Sequence, residues 1–263
     1  MTRIGLVQVT SAFDPEANLQ TIRRFAGEAK EKSCEALCFP ECFLTGYRSK
    51  NPAPLALTKD SPILQRVSQM AQEFSMDLLV GYVENQGDQY YICHGLFLPD
   101  GSRQTYRKTH LGKTESIYYT PGDRLEVFSL SCGLCVGFQL CVETHFPEIT
   151  QTLALRGAEV IFAPHAVPRV SGDRAHIWGK YISARSYDNR VYMACCNLWD
   201  ENRFGGGIFV TDPRGETIAS CYADEPQLLT AEIDRELIAR YRTPGDKRST
   251  HFYPGKRRKE LYE

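Results

Sequence analysis

Apolar residues fall in short runs whose spacing changes between that of a strand and that of a helix. Ile4–Val9 is a short apolar run that predicts a strand, and the charged amphipathic stretch Pro15–Lys32 predicts a helix. A short apolar strand ending in Pro-Glu follows at Ala36–Glu41. A second helical stretch covers Ser61–Ser75, and another strand covers Asp77–Val83. A hairpin-like segment, Leu96–Gly101, then runs on to Lys108. From Leu134 the order repeats: strand Leu134–Leu140, helix Glu148–Arg156, and a strand ending in Pro-His at Glu159–His165. Helix Asp173–Tyr187 and strand Arg190–Asn197 come next, then Ile208–Gly215 and a final strand Leu228–Ile233 that closes the second half. Asp100-Gly101 and Pro213-Arg214-Gly215 supply turn chemistry between paired apolar runs.

Strands alternating with helices imply crossover connections, and the hairpins add antiparallel pairs, so each half forms a mixed sheet. Two such halves stack most naturally sheet on sheet with helices outside. The expected fold is α/β, a four-layer α-β-β-α sandwich of two pseudo-symmetric halves. Residues 1–263 make one domain, and 239–263 form a tail.

Composition narrows the function classes. Lys and Arg number 31 against 32 Asp and Glu, a net charge of −1, which lacks the cationic excess a general nucleic-acid binder needs. The longest charge-free stretch, residues 127–142, has 16 residues and contains Ser, Gly and Gln, too short and too polar to span a bilayer. The opening MTRIGLVQVTSAFDPE lacks the apolar core and cleavage site of a secretory leader. A cytoplasmic location is therefore expected, with the 10 cysteines as reduced thiols.

In α/β sheets reactive groups gather beyond the carboxyl ends of strands. Glu41 follows ALCFP, Lys108 follows RQTYR, and Cys141 follows LCVGFQL. Singly, each has an ordinary structural reading. Together they suffice for acyl transfer from an amide without metal or organic cofactor. A thiol attacks as thiolate and its pKa falls beside an ammonium; a carboxylate takes the thiol proton and returns it to the leaving amine. The lysine and the backbone N–H after the cysteine face the oxyanion.

FPECFLTGY (Phe39–Tyr47), YRKTHL (Tyr106–Leu111) and LCVETHFPE (Leu140–Glu148) resemble the three signature blocks of the carbon–nitrogen hydrolase, or nitrilase, superfamily. TPGD (Thr120–Asp123), GAEVIFAP (Gly157–Pro164), ARSYDNRVYMACCN (Ala184–Asn197) and the ending GKRRKELY (Gly255–Tyr262) extend the resemblance over nearly the whole chain. It implies Glu41 as general base, Lys108 as transition-state stabiliser and Cys141 as nucleophile. Glu115 matches the family's second glutamate, and the Val142 N–H completes the oxyanion hole. It also implies the same sandwich fold, no cofactor, a homodimer or higher oligomer, and the tail near the subunit interface. Many members carry an aspartate and then an arginine before Phe-Pro-Glu, where this chain has Glu143 and His145.

Other signals carry less. Cys132-Gly-Leu-Cys135 enters an apolar strand and lacks a second ligand pair, so no metal is expected. Cys34, Cys38 and Cys42 suit core packing. His145 and His165 are candidate substrate contacts, with structural roles as the alternatives; Tyr118, Trp178 and Trp199 are candidate pocket walls. Gly205-Gly206-Gly207 reads as a tight turn or close backbone approach, because no lysine and helix follow it. The expected activity is cleavage of a small amide or N-carbamoyl compound through a thioester. A nitrilase acting on nitriles and a non-catalytic interaction protein on the same fold are the rivals. Small-molecule substrate and water are the expected partners, without nucleic acid or membrane.

Overall fold

A computed structural model describes residues 1–261. Tyr262, which ends the tail block, and Glu263 lie outside the described residues. The first half contains β1 (Thr2–Gln8), α1 (Pro15–Glu31), β2 (Ala36–Cys38), α2 (Pro62–Phe74), β3 (Asp77–Gln86), β4 (Gln89–Phe97) and β5 (Arg103–Arg107). A short helix α3 (Glu115–Tyr118) and strand β6 (Val127–Ser129) lead into β7 (Cys135–Phe138), α4 (Pro147–Leu155), β8 (Val160–His165) and α5 (Arg174–Asn189). The chain continues as β9 (Tyr192–Asn197), β10 (Ile208–Thr211), β11 (Thr217–Cys221), β12 (Gln227–Ile233) and α6 (Arg235–Arg242).

Helix starts follow local chemistry. The Asp14 side chain accepts from the Glu16 N–H and Asp173 from the Ala175 N–H, satisfying donors that have no partner inside the helix. Pro15 and Pro62 occupy first turns, where a missing N–H costs nothing.

One sheet has the order β12-β1-β2-β3-β4-β5 and the other β11-β10-β9-β8-β7-β6. In each, three strands are parallel and the flanking pairs antiparallel. Alternate residues of these strands serve different layers. Ile4 and Leu6 join Val136, Phe138, Phe162 and Ala194 in one core between the sheets. Val7, Leu78 and Val80 pack against Leu19, Ile22, Leu64 and Val67 of α1 and α2. Ile161 and Met193 meet Ile149, Leu153, Trp178 and Ile182 of α4 and α5. The result is the expected α-β-β-α sandwich of two similar halves.

Two expectations change. The strand expected over Ala36–Glu41 ends at Cys38, leaving Pro40 and Glu41 in a turn. The final strand does not close the second half: β12 pairs antiparallel with β1 of the first sheet, Thr2 opposite Ile233. Its counterpart in the second sheet is β6 beside β7, so each half completes its edge with a strand adjoining the other half in sequence. The described tail residues pack on their own chain, where Arg242 donates to the Gly157 and Ala158 carbonyls and Arg190 to that of His251. Among the described residues, no helix is long and apolar enough to cross a membrane.

Candidate active site

β3 and β5 run in the same direction because two antiparallel steps separate them. The carboxyl ends of β2 and β5 therefore open at one end of the sheet. Glu41 stands on the turn after β2. That turn is strapped to β3, with the Phe39 N–H donating to the Leu79 carbonyl at 2.8 Å and the Leu44 N–H to that of Gly81 at 2.9 Å. Asn18 of α1 donates to the Phe43 and Leu44 carbonyls. Gly81 is required for this approach: a Cβ there would lie 2.5 Å from the Cys42 nitrogen and 2.6 Å from the Pro40 oxygen. Gly81→Ala is expected to push the turn aside, costing about 1–3 kcal/mol of stability and about 10²-fold in activity through displacement of Glu41. Melting temperature and kcat/KM check this; wild-type activity would contradict it.

Lys108 is the first residue beyond β5. Its N–H donates to Ile92 and its carbonyl accepts from Gly122 at 2.8 Å. A Cβ on Gly122 would come within 2.3 Å of the Arg107 oxygen, which accounts for the glycine of TPGD. Cys141 opens the 3-10 turn Cys141–His145 after β7 with φ +48°, a conformation that costs a non-glycine residue about 1–3 kcal/mol and is held by its surroundings. The Thr144 hydroxyl donates to the Cys141 carbonyl at 2.6 Å, and the Gln139 amide donates to the carbonyls of Glu143 and Phe146.

The structure brings the expected residues together. The Lys108 ammonium lies 2.7 Å from Glu41 Oε1 and 3.0 Å from both oxygens of Glu115. Lys108 and Glu41 are each 1 % exposed. Glu115 is steadied by the Gly112 N–H at 2.6 Å and the Tyr47 hydroxyl at 2.9 Å. Among the described residues, no donor reaches Glu41 Oε2, which is buried and open to receive a proton. Lys108, Glu115, Cys141 and Val142 line one cavity of about 290 Å³, with Tyr47, Ala166 and Val167 among its other walls. A larger groove of about 710 Å³ passes Arg103 and Arg107. It holds none of the candidate residues, and Arg107 there is paired with Glu84.

The electrostatics correct one expectation. Burial pushes the Cys141 thiol up to about 12, and Glu41 adds to this; Lys108 and the Ala166 N–H oppose it. The ammonium is already shared between two carboxylates, so it does not generate a resting thiolate. Burial lowers the Lys108 pKa, but Glu41, Cys141 and Glu115 outweigh it and hold the amine charged. Burial raises Glu41 to about 7 despite Lys108, with Glu115 pushing the same way. The resting pair is thus a neutral thiol and a carboxyl poised near neutrality.

If Glu41 acts in its ionised form, kcat/KM must fall about tenfold per unit below pH 7 and level off above it. A pH–rate profile measures this, and a flat line from pH 5.5 to 7 would contradict it.

Other candidates lie elsewhere. His165 is 1 % exposed, hydrogen-bonded through Nδ1 to the Ala163 carbonyl and packed on Trp178 with ring centres 4.9 Å apart. It is absent from the cavity wall, and burial lowers its pKa to about 3. His145 is exposed and stacked on Tyr181 at 4.9 Å, also off the wall. Neither ring is among the residues lining the cavity, and the buried His165 Nε2 has no partner among the described residues. Trp178 is core, Tyr118 is 40 % exposed, and Trp199 donates to Asp224. Gly206 and Gly207 have positive φ and Gly207 donates to Gln8, the close approach expected of them. All ten cysteines are free thiols.

Sequence reasoning passed over Tyr47, although it closes the FPECFLTGY block, and Ala166. Glu143 was read only as a departure from the family pattern.

Comparison with known proteins bears on the family and the fold. The sequence model for "Carbon-nitrogen hydrolase" matches residues 3–243. A Pseudomonas protegens protein called "Hydrolase in pqqF 5'region" is 34 % identical over 99 % of this chain and 90 % of its own length. "Deaminated glutathione amidase" of Rattus norvegicus is 31 % identical over 91 % of this chain and 79 % of its own. A solved mutant of the amidase from Nesterenkonia sp. AN1 superposes with a TM-score of 0.83 at 25 % identity, covering 99 % of this chain and 95 % of that one. It shows covalent addition of the acetamide moiety of fluoroacetamide at the active site cysteine. With a family match across almost its whole length and the sandwich fold of the solved amidase, the chain belongs to the carbon-nitrogen hydrolase family.

Proposed function

We propose that this protein is a cysteine-dependent amidase that hydrolyses a small amide or N-carbamoyl compound through a thioester on Cys141. The observation that carries this reading is the Lys108 ammonium held between Glu41 and Glu115 at the edge of the cavity that Cys141 lines. Glu41 takes the thiol proton as the sulfur attacks the carbonyl carbon. Lys108 and the Val142 N–H face the oxyanion, and Glu115 holds Lys108 in place. Collapse of the tetrahedral intermediate breaks the C–N bond, and Glu41 returns its proton to the leaving nitrogen. Ammonia or an amine departs, leaving an acyl thioester. Glu41 then takes a proton from water, whose hydroxide attacks the thioester, and the acid leaves with the thiol restored. A cavity near 290 Å³ is at the small end for ligand sites and suits a short acyl group.

The cysteine adduct described for the Nesterenkonia amidase supports the same attacking atom here. Ten free thiols support a reducing, cytoplasmic setting, and the family resemblance supports a homodimer with the tail near its interface, which sedimentation checks. Matched sets of short amides, N-carbamoyl amines and nitriles, followed by ammonia release, test the activity. Amides or carbamoyl compounds are expected to turn over. Turnover of nitriles alone would replace the reading with nitrilase chemistry, and no turnover of any set with sluggish, unselective thiol labelling would favour the non-catalytic reading.

A further inference from the structure

We infer that Glu143 is a positioning residue whose buried carboxylate ties the segment carrying Lys108 to the turn carrying Cys141; its role in turnover rests on the amidase reading above. Glu143 is the third residue of the turn Cys141–His145 and is 0 % exposed. Its Oε1 accepts from the Tyr106 hydroxyl, the Thr109 N–H and the Thr109 hydroxyl, each at 2.7 Å, and from the His110 N–H at 3.2 Å. Its Oε2 accepts from the Leu140 N–H at 2.7 Å. Tyr106 and Thr109 bracket Lys108 in sequence, while Leu140 immediately precedes Cys141. β5 and β7 belong to different sheets, so one side chain joins the two sheets where their reactive residues meet.

All five contacts are donors, which suits an ionised carboxylate, an acceptor at every lone pair. Thr109 Oγ1 also lies 2.8 Å from His110 Nδ1, which extends the network to the His110–Phe146 ring pair. Glu143 is absent from the cavity wall. Its influence must therefore run through the placement of Lys108 against Cys141 and not through substrate contact. Glutamine in its place would turn an NH2 group toward at least one of these donors, breaking the clasp at nearly unchanged volume.

The test compares E143Q with the wild type in two ways. The first is steady-state turnover together with binding of the unreacted amide in a Cys141→Ala background. The second is iodoacetamide labelling of Cys141 read by peptide mass. In that reaction sulfur displaces iodide, an S–C bond forms as C–I breaks, and the thiol proton passes to Glu41. E143Q is expected to lower kcat about 10²-fold and to slow labelling about tenfold, with amide affinity held within about threefold. Wild-type kcat and labelling rate, or a loss confined to affinity, would overturn the inference. Labelling needs no substrate, so it decides the matter even if the wild type cleaves no amide tested. Should E143Q fail to fold, Tyr106→Phe and Thr109→Val each remove one donor; each is expected to slow labelling about 3–10-fold, and wild-type rates in both would overturn the inference.

Discussion

Cys141→Ala will abolish turnover and leave the fold standing. The thiol borders the cavity beside Lys108, whose charge interacts with it, and it is the group that takes the acyl chain in the proposed reaction. Removing an activated nucleophile typically costs a factor of about 10⁴–10⁶ in kcat. The backbone at φ +48° is no harder for alanine than for cysteine, since both carry one Cβ substituent pattern without branching, so stability should change by less than about 1 kcal/mol. Turnover and melting temperature measured on one preparation check this. Activity above about one percent of wild type would rule out Cys141 as the nucleophile.

Lys108→Met will damage both activity and stability, and the second effect has a diagnostic sign. Glu41 and Glu115 are both buried, and both depend on one ammonium at 2.7 and 3.0 Å. Breaking a buried ion pair from one side leaves charge uncompensated and costs about 3–5 kcal/mol. Turnover should fall about 10³-fold or more with loss of the oxyanion partner. Without the cation, the folded-state pKa of Glu41, already raised to about 7, rises further above its value in the unfolded chain. A carboxyl raised in this way favours the folded state while protonated, and loses that stability as pH rises through the folded-state pKa. The deficit of Lys108→Met relative to wild type should therefore be larger at pH 8 than at pH 5, as urea unfolding at the two values would record. An equal deficit at both would contradict the burial of two carboxylates around one amine.

Much of this was legible in the amino-acid sequence because local patterns carried it. Apolar runs that end in Pro-Glu or precede a polar turn marked the strand ends bearing Glu41, Lys108 and Cys141. The helices over Pro15–Glu31 and Pro62–Phe74 announced themselves through their amphipathic pattern. Partnerships between distant segments were not legible. Nothing local in Gln227–Ile233 says that it lies beside Thr2–Gln8, since an apolar edge strand fits either sheet. The state of Cys141 was misjudged for a related reason. A lysine near a thiol lowers its pKa only if the lysine's charge is uncommitted, and the two carboxylates that claim Lys108 come from residues 41 and 115. Glu143 was opaque because its five donors lie in two segments more than thirty residues apart in part, and only folding collects them. Nor could spacing along the chain tell whether His145 and His165 face the cavity or their neighbouring rings; that depends on how each strand end turns.

The central claim, that Cys141 takes the acyl group while Glu41 manages the protons, is tested most directly by trapping the intermediate. A p-nitrophenyl ester has a leaving group that needs no proton, and Glu41→Gln also removes a negative charge that holds the proton on Cys141. At alkaline pH, where solvent base takes the thiol proton, the ester can therefore acylate Cys141, whereas hydrolysis of the thioester still lacks its base. Intact-mass spectrometry after mixing should show one acyl group added and persisting, and peptide mapping should locate it on Cys141. An acyl group on any other residue, or none at all while the wild type hydrolyses the same ester, would contradict the account.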